Sequence, residues 1–311
     1  MATPSPCVGF CRIDDVSRFC IGCARTAAEI AAWRDAPAAV LERIWSELPG
    51  RRASLDIGLH RLRWTPDEIQ AFVFDTFRPG RGTWVFGVFG AVAEFCTGAD
   101  EACEVIREGS RVTATTARGA ARFTVTEEVR ALAVTTAVGA VTKEVVVLAV
   151  PRGYARGPVN HGLTPLGEDR GAVRPRDRAD RLYDLGLGMR ASGFCIRTST
   201  PALIRELEGY VGRGWADVLA GLGGRIVEAS PPRVVLNPIG RLEVFTPIPP
   251  PNGRSPDGPH THLLPEHLAV GRETPPGLEL PEAFAPCAIF YPEARPADGE
   301  ICSSKDKVTV S

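Results

Sequence analysis

Residues 82–95, GTWVFGVFGAVAEF, concentrate aromatic and β-branched side chains in a way that reads as strand. The same signal returns in RVTATTA (111–117), ARFTVTE (121–127), VRALAVTTA (129–137) and KEVVVLAV (143–150), with tight turns between several of them. Parallel neighbours would need a crossover of a dozen or more residues. Strands this close in sequence must therefore pair mostly antiparallel. The stretch predicts an α+β body built on largely antiparallel sheet.

On its N-terminal side, Thr65 and Glu68 form a capping box with Pro66 at the first helical position. They open a helix whose apolar stripe is Ile69, Phe72, Val73 and Phe77. On its C-terminal side, residues 151–175 (PRGYARGPVNHGLTPLGEDRGAVRP) are rich in Gly and Pro and lack periodicity, as a long connection would. A charged helix over 175–185, a strand GFCIRT (193–198) and helices near 201–209 and 214–222 are expected next. Three strand-like runs follow, GRIVEA (224–229), RVVLNP (233–238) and RLEVFTPI (241–248), then a Pro-rich stretch and a buried strand APCAIFYP (285–292). The expected organisation is a module at 1–50, an α+β unit at 51–150, the 151–175 connection, a second α+β unit at 176–295 and a disordered tail at 296–311.

With 311 residues and 44% hydrophobic content, the chain can bury a substantial core. A formal net charge of −1 gives no overall electrostatic reason to expect nucleic acid or an anionic membrane as partner. All but three of the 36 basic residues are arginine, which fits a GC-rich genome better than selection for arginine chemistry. No stretch of about 18 apolar residues or charged leader is present, so a cytoplasmic location is expected. There thiols are held reduced, and nine cysteines are not to be read as a disulfide framework.

Four of the nine lie in SPCVGFCRIDDVSRFCIGCARTAAEI (5–30). Cys7 and Cys11 are spaced C-x3-C, Cys20 and Cys23 C-x2-C, and eight residues separate the pairs. Four thiolates this close can converge on one tetrahedral centre. Zinc suits such a closed shell, and an iron-sulfur cluster is the alternative. Thr26 and Glu29 make a capping box that starts a helix directly after the second pair. Two short helical patterns, TAAEIAAWRDA and AAVLERIWSEL, complete a small knuckle closed by Pro49-Gly50. SPCVGFCRID, FCIGCARTAAEIAAW and LPGRRA resemble domain-of-unknown-function family 1289, a bacterial family whose members are often described as iron-sulfur proteins. The resemblance implies a metal-binding cysteine module. The phrases GVFGAVAEF, DLGLGMRASGFCIRT and GPHTHLLPEHL are similar to uncharacterised bacterial proteins and imply no mechanism.

Three of the five histidines fall in PHTHLLPEH (259–267). If this segment is extended, His260 and His262 point to one side and can present both imidazoles to a metal, with His267, Glu266, Cys287 or His161 completing the set. A loop histidine also serves as a hydrogen-bonding strut. Ser255, Asp257 and His260 read as turn chemistry rather than a hydrolase triad. GLGMRASG (186–193) lacks dinucleotide-loop spacing, with a helix expected before it. Arg170 or Arg174 could clamp an anion, although mixed charge on a helix is usually a solvated face. Cys96, Cys103 and Cys195 read as inert. The expected protein is a structural or docking metal knuckle, able to meet a protein partner, fused to an α+β body. The competing readings are a metal-dependent enzyme using His260 and His262, and an iron-sulfur redox protein.

Overall fold

The computed structural model describes residues 3–138, 141–155, 159–189, 192–250 and 257–292. The expected tail at 296–311 lies outside them, as does Ser255. The N-terminal region carries helices α1 (Ala27–Ala32) and α2 (Ala38–Ser54). The first half of the body runs β1 (Leu59–Arg61), α3 (Pro66–Thr76), β2 (Gly82–Val88), β3 (Ala91–Phe95), β4 (Glu104–Glu108), β5 (Arg111–Thr115), β6 (Gly119–Thr124), β7 (Arg130–Val138) and β8 (Val141–Pro151). The second half runs β9 (Thr164–Glu168), β10 (Arg181–Asp184), β11 (Gly193–Thr198), α4 (Pro201–Glu208), α5 (Trp215–Ala229), β12 (Arg233–Asn237), β13 (Gly240–Val244), β14 (His260–Leu263), α6 (Pro265–Leu268) and β15 (Phe284–Pro292).

The α+β body is organised on two antiparallel sheets. Sheet one has the order β1-β7-β8-β15-β2-β3-β14 and sheet two the order β4-β5-β6-β13-β12-β11-β10-β9. Both halves of the body contribute to each sheet: β15 inserts between β8 and β2, and β13 pairs with β6. Strands β12 and β13 of sheet two pack on β2 and β3 of sheet one. Phe123 sits at the centre of this contact, 4.8–4.9 Å by ring centroid from Phe77, Trp84 and Phe86, so its edges and faces meet three aromatic neighbours. Trp84 is fully buried, and its indole N–H donates to Thr76 Oγ1 at 3.1 Å on α3.

Sheet one also covers a second apolar cluster on its outer face. In register, Arg61, Leu132, Val147, Ile289, Val85, Glu94 and His260 form one row across all seven strands. Residues paired across neighbouring strands share a face. Leu132, Val147 and Ile289 of this row are buried under Val8 of the cysteine loop and Leu278 of the segment before β15. The same sheet face thus carries the N-terminal region on its middle strands and a carboxylate and an imidazole at its edge.

Four expected elements differ from those observed. The second N-terminal helix does not close at Pro49-Gly50 but runs through Pro49 to Ser54. Its last turn is anchored from outside, because Arg51 donates to Glu29 at 2.7 and 3.0 Å, to the Ala24 carbonyl at 3.3 Å and to Glu47. The charged helix expected over 175–185 is a short 3-10 turn at Pro175–Asp177 followed by β10. Pairing with β9 and β11 decides this, since it buries Leu182 and Tyr183 together. GRIVEA is the last part of α5 rather than a strand, because Val218, Leu222 and Ile226 bury one helical stripe. The 151–175 connection contains β9. The run 82–95 is a hairpin of two strands, and both capping boxes are formed, Thr26 with Glu29 and Thr65 with Glu68.

Candidate metal centres

The cysteine region is two loops closed on each other. Ile13 pairs with Cys20 as an isolated antiparallel bridge, and Ile21 N–H donates to the Arg12 carbonyl at 2.9 Å. Gly22 permits this approach, since a Cβ there would fall 2.2 Å from the Phe10 carbonyl oxygen. Cys20 and Cys23 are buried, Cys7 is half-buried and Cys11 is exposed. Cys11 and Cys23 are both electrostatic neighbours of Cys20, but no three of the four thiols lie within 4.8 Å of one another. Backbone N–H groups point at the sulfurs: Gly9 N–H reaches Cys7 Sγ at 3.4 Å, and those of Gly22, Cys23 and Arg12 are directed at Cys20. Burial opposes the Cys20 thiolate, but these three donors outweigh it and bring its pKa below the ordinary thiol value. Burial pushes the Cys23 thiol up despite the Arg25 Nε–H donated to it at 3.4 Å.

Behind the loops, α2 supplies Ile44, Trp45 and Leu48, which pack with Ala24 as a small core of the region's own. Trp45 Nε1–H holds the N-terminal segment by donating to the Pro4 carbonyl at 3.1 Å. The region touches the body at Val8 and at Gly9, whose φ of +77° and close approach to Ala283 leave no room for a side chain. A cleft of about 540 Å³ lies along this seam, lined by Phe10 and Gly22 of the cysteine loops, Asp56 and Ile57 after α2, and Glu279 and Pro281 of the body.

The second candidate centre forms where β14 pairs with β3. The 260–263 segment is extended, so His260 and His262 do project to one side. The register places His260 opposite Glu94. His260 Nε2 is 2.9 Å from His262 Nε2 and 3.3 Å from Glu94 Oε2, and His262 Nε2 is 3.8 Å from Glu94 Oε1. Among the described residues, these are the three histidine, cysteine or carboxylate donors found within 4.8 Å of one another. The His260 Nδ1 contacts the Gly258 carbonyl oxygen at 2.7 Å. Burial opposes protonation of His260, but the Glu94 carboxylate outweighs it and raises the ring's pKa. Burial and the charge on His260 lower that of His262 against the pull of Glu94.

The other proposed members of this set lie elsewhere. His267 stacks on Phe89 with centroids 4.6 Å apart, and Glu266 is exposed on α6. Cys287 is buried in β15 and donates to the Ala285 carbonyl at 3.6 Å, with burial pushing its thiol up to about 12. His161 is exposed beside Gly188, next to the end of β10. Glu94 was absent from the sequence reading. Its position within the alternating run AVAEF marked it as a polar residue on an outer face, but only the β3–β14 register brings it to the histidines.

The remaining sequence constellations resolve into structure. GLGMRASG follows strand β10 rather than the helix expected before it, and precedes β11. Arg174 donates to the Thr116 and Ala117 carbonyls at 2.7 and 2.9 Å and lies over the Phe245 ring, while Arg170 pairs with Glu168 at 3.4 Å. Asp169 and Asp177 of the same charged run bind the buried Arg197 at 3.1 and 2.8 Å. Cys195 is fully buried with its thiol pushed well up by burial, and Cys103 is raised to about 11 by the same cause. No helix among the described residues is long and apolar enough to cross a membrane.

No curated protein and no solved structure matches this chain. A family model described as "Protein of unknown function (DUF1289)" matches residues 5–52, the two cysteine loops with α1 and most of α2. A second, described as "Family of unknown function (DUF6925)", matches residues 68–304, from α3 through both sheets. Because that match spans well over half its length, the chain belongs to the DUF6925 family, with a DUF1289 region at its N-terminus.

Proposed function

We propose that the protein binds a metal through Cys7, Cys11, Cys20 and Cys23, and that this centre serves as a structural and docking knuckle for the α+β body. The observation that carries the reading is the closure of the two cysteine loops on each other through the Ile13–Cys20 bridge, which leaves Cys11 and Cys23 both neighbours of Cys20. Thiolates gathered in so small a region repel one another unless a cation shares them. The donor set fits zinc, which would fix a fold whose own core is only Ala24, Ile44, Trp45 and Leu48. A four-thiolate iron-sulfur cluster is the alternative occupant. The docking role is supported by two exposed apolar side chains of the loops, Phe10, which lines the seam cleft and is 46% exposed, and Val16, which is 92% exposed.

Cobalt substitution of the full chain tests the assignment, since thiolate-bound cobalt has charge-transfer bands that nitrogen and oxygen ligands do not produce. A Cys20→Ser, Cys23→Ser double variant should lose those bands and release the metal. Undiminished bands in that variant would overturn the reading. Native protein purified without oxygen should be colourless if zinc is the ion, because a filled d shell has no visible transitions, and brown if a cluster is present.

A further inference from the structure

We propose that Glu94, His260 and His262 form a second metal site, for a divalent first-row transition ion, on the outer face of sheet one at its β14 edge. The inference does not depend on the cysteine centre. Its two imidazole Nε2 atoms lie 2.9 Å apart, Glu94 Oε2 is 3.3 Å from that of His260 and Glu94 Oε1 is 3.8 Å from that of His262, and one ligand atom from each residue lies within 4.8 Å of the other two. Atoms bound to one ion at about 2.0–2.2 Å must stand roughly 3–3.5 Å from each other, so a common ion is sterically within reach of all three.

The hydrogen bonding around His260 favours the same conclusion. Gly258 offers only a carbonyl oxygen, so the 2.7 Å contact requires a proton on His260 Nδ1. In the neutral ring this leaves the Nε2 lone pair aimed at His262 and Glu94. A ligating histidine typically has this arrangement, its far nitrogen donating to a backbone carbonyl that sets tautomer and ring orientation. A strut function accounts for the Nδ1 contact alone. It does not explain why a second imidazole, at 89° to the first, turns its own Nε2 to the same point beside a carboxylate.

Rigid elements hold the donors. His260 and Glu94 are directly paired across β14 and β3, and His262 is the next residue on the same face. Imidazole and carboxylate suit zinc, iron, cobalt or nickel rather than calcium or magnesium. With the side chains of His260, Glu94 and His262 15%, 27% and 37% exposed, three protein ligands leave the solvent side open. Open positions of this kind distinguish metal sites that exchange water or bind a substrate from closed structural ones.

The test uses the full-length protein loaded with cobalt or zinc. It should take up a second equivalent that adds no thiolate charge-transfer band. Glu94→Gln and His262→Gln should each weaken that equivalent by more than about 100-fold, since loss of a ligand must exceed the 10–100-fold cost of losing an outer-shell partner. The thiolate–cobalt bands should stay unchanged in both variants, which separates failure of this site from failure of the cysteine centre. In the unmodified chain, zinc should protect His260 and His262 from acylation by diethylpyrocarbonate while His267 is not protected. Absence of an equivalent bound without thiolate bands, unchanged affinity in Glu94→Gln, or acylation of His260 and His262 indifferent to zinc would each overturn the proposal.

Discussion

The two candidate centres are assembled on opposite principles. Four thiols come from a single 17-residue segment, and the loops that carry them close through local bridges and a small core. The carboxylate and imidazoles come from strands near opposite ends of the body, and only sheet pairing joins them. A local cluster owes its geometry to chain connectivity and its stability to what it binds, whereas a distant one inherits both from the fold beneath it. If that contrast is right, damage to the body should spare the cysteine region, and damage to the seam should affect both.

The sharpest way to break the contrast is to damage sheet two. Arg197 is fully buried and pairs with Asp169 at 3.1 Å, Asp177 at 2.8 Å and Glu243 at 2.7 Å. Arg241 shares Asp169 and Glu243 with it, so the network ties β11 and β13 to the segment before β10. Arg197→Ala leaves two buried carboxylates with Arg241 as their remaining counter-charge and should cost about 3 kcal/mol, the low end for breaking a buried ion pair. Urea titration should show the body's transition shifted to lower denaturant while the thiolate–cobalt bands persist at their original midpoint. Loss of both signals in one shifted transition would mean that the two regions unfold as a unit.

What could be read from sequence divides along the same line. The capping boxes at Thr26 and Thr65 and the hairpin strands rest on residues a few positions apart, and each is found in the structure as a local feature. The end of α5 was misread because Gly223-Gly224 resembles a turn and Ile226-Val227 a strand. The competing signal was the four-residue spacing of Val218, Leu222 and Ile226, which shows its weight only once the helix packs on the core. The charged run around Arg181 was misread because Asp169 and Asp177 pair with Arg197, a partner remote in sequence, and because pairing with β9 and β11 buries Leu182 and Tyr183. Glu94 carried no local mark of its partnership, since a register shift of one residue would send it to the other face.

A smaller effect sharpens the contrast at the seam, where His60 on β1 lies beside Arg52 of α2. Burial lowers the His60 pKa to about 4, and the Arg52 charge adds to the shift. Because the folded value lies below the ordinary 6.5, the folded state binds fewer protons between these limits and the unfolded state more. The stability contribution is therefore fully present above pH 6.5 and is lost as pH falls through 4. The ring is only partly shielded, so about 1–2 kcal/mol is expected after allowance for solvent screening. Urea midpoints measured across this window should decline less in His60→Gln than in the natural chain. Identical pH profiles would show that the seam histidine is not held neutral by the fold.

The smallest expected effect lies wholly within the cysteine region. Thr26 Oγ1 accepts the Glu29 N–H at 3.2 Å, and Glu29 Oε2 accepts the Thr26 N–H at 2.9 Å while also binding Arg51. The capping box therefore joins α1 to the last turn of α2, immediately after Cys23. Thr26→Ala removes one donor–acceptor pair and should cost about 1 kcal/mol, the usual value of an N-cap side chain. Arg51 still holds Glu29 from the other side, which keeps the loss from growing. If a thiolate-bound ion supplies most of this region's stability, the loss should appear as a several-fold weaker cobalt affinity, about 5-fold for 1 kcal/mol, with the body's urea midpoint unchanged. Equal cobalt affinity in Thr26→Ala and the natural chain would mean that α1 forms independently of the centre, and that the loops close without it.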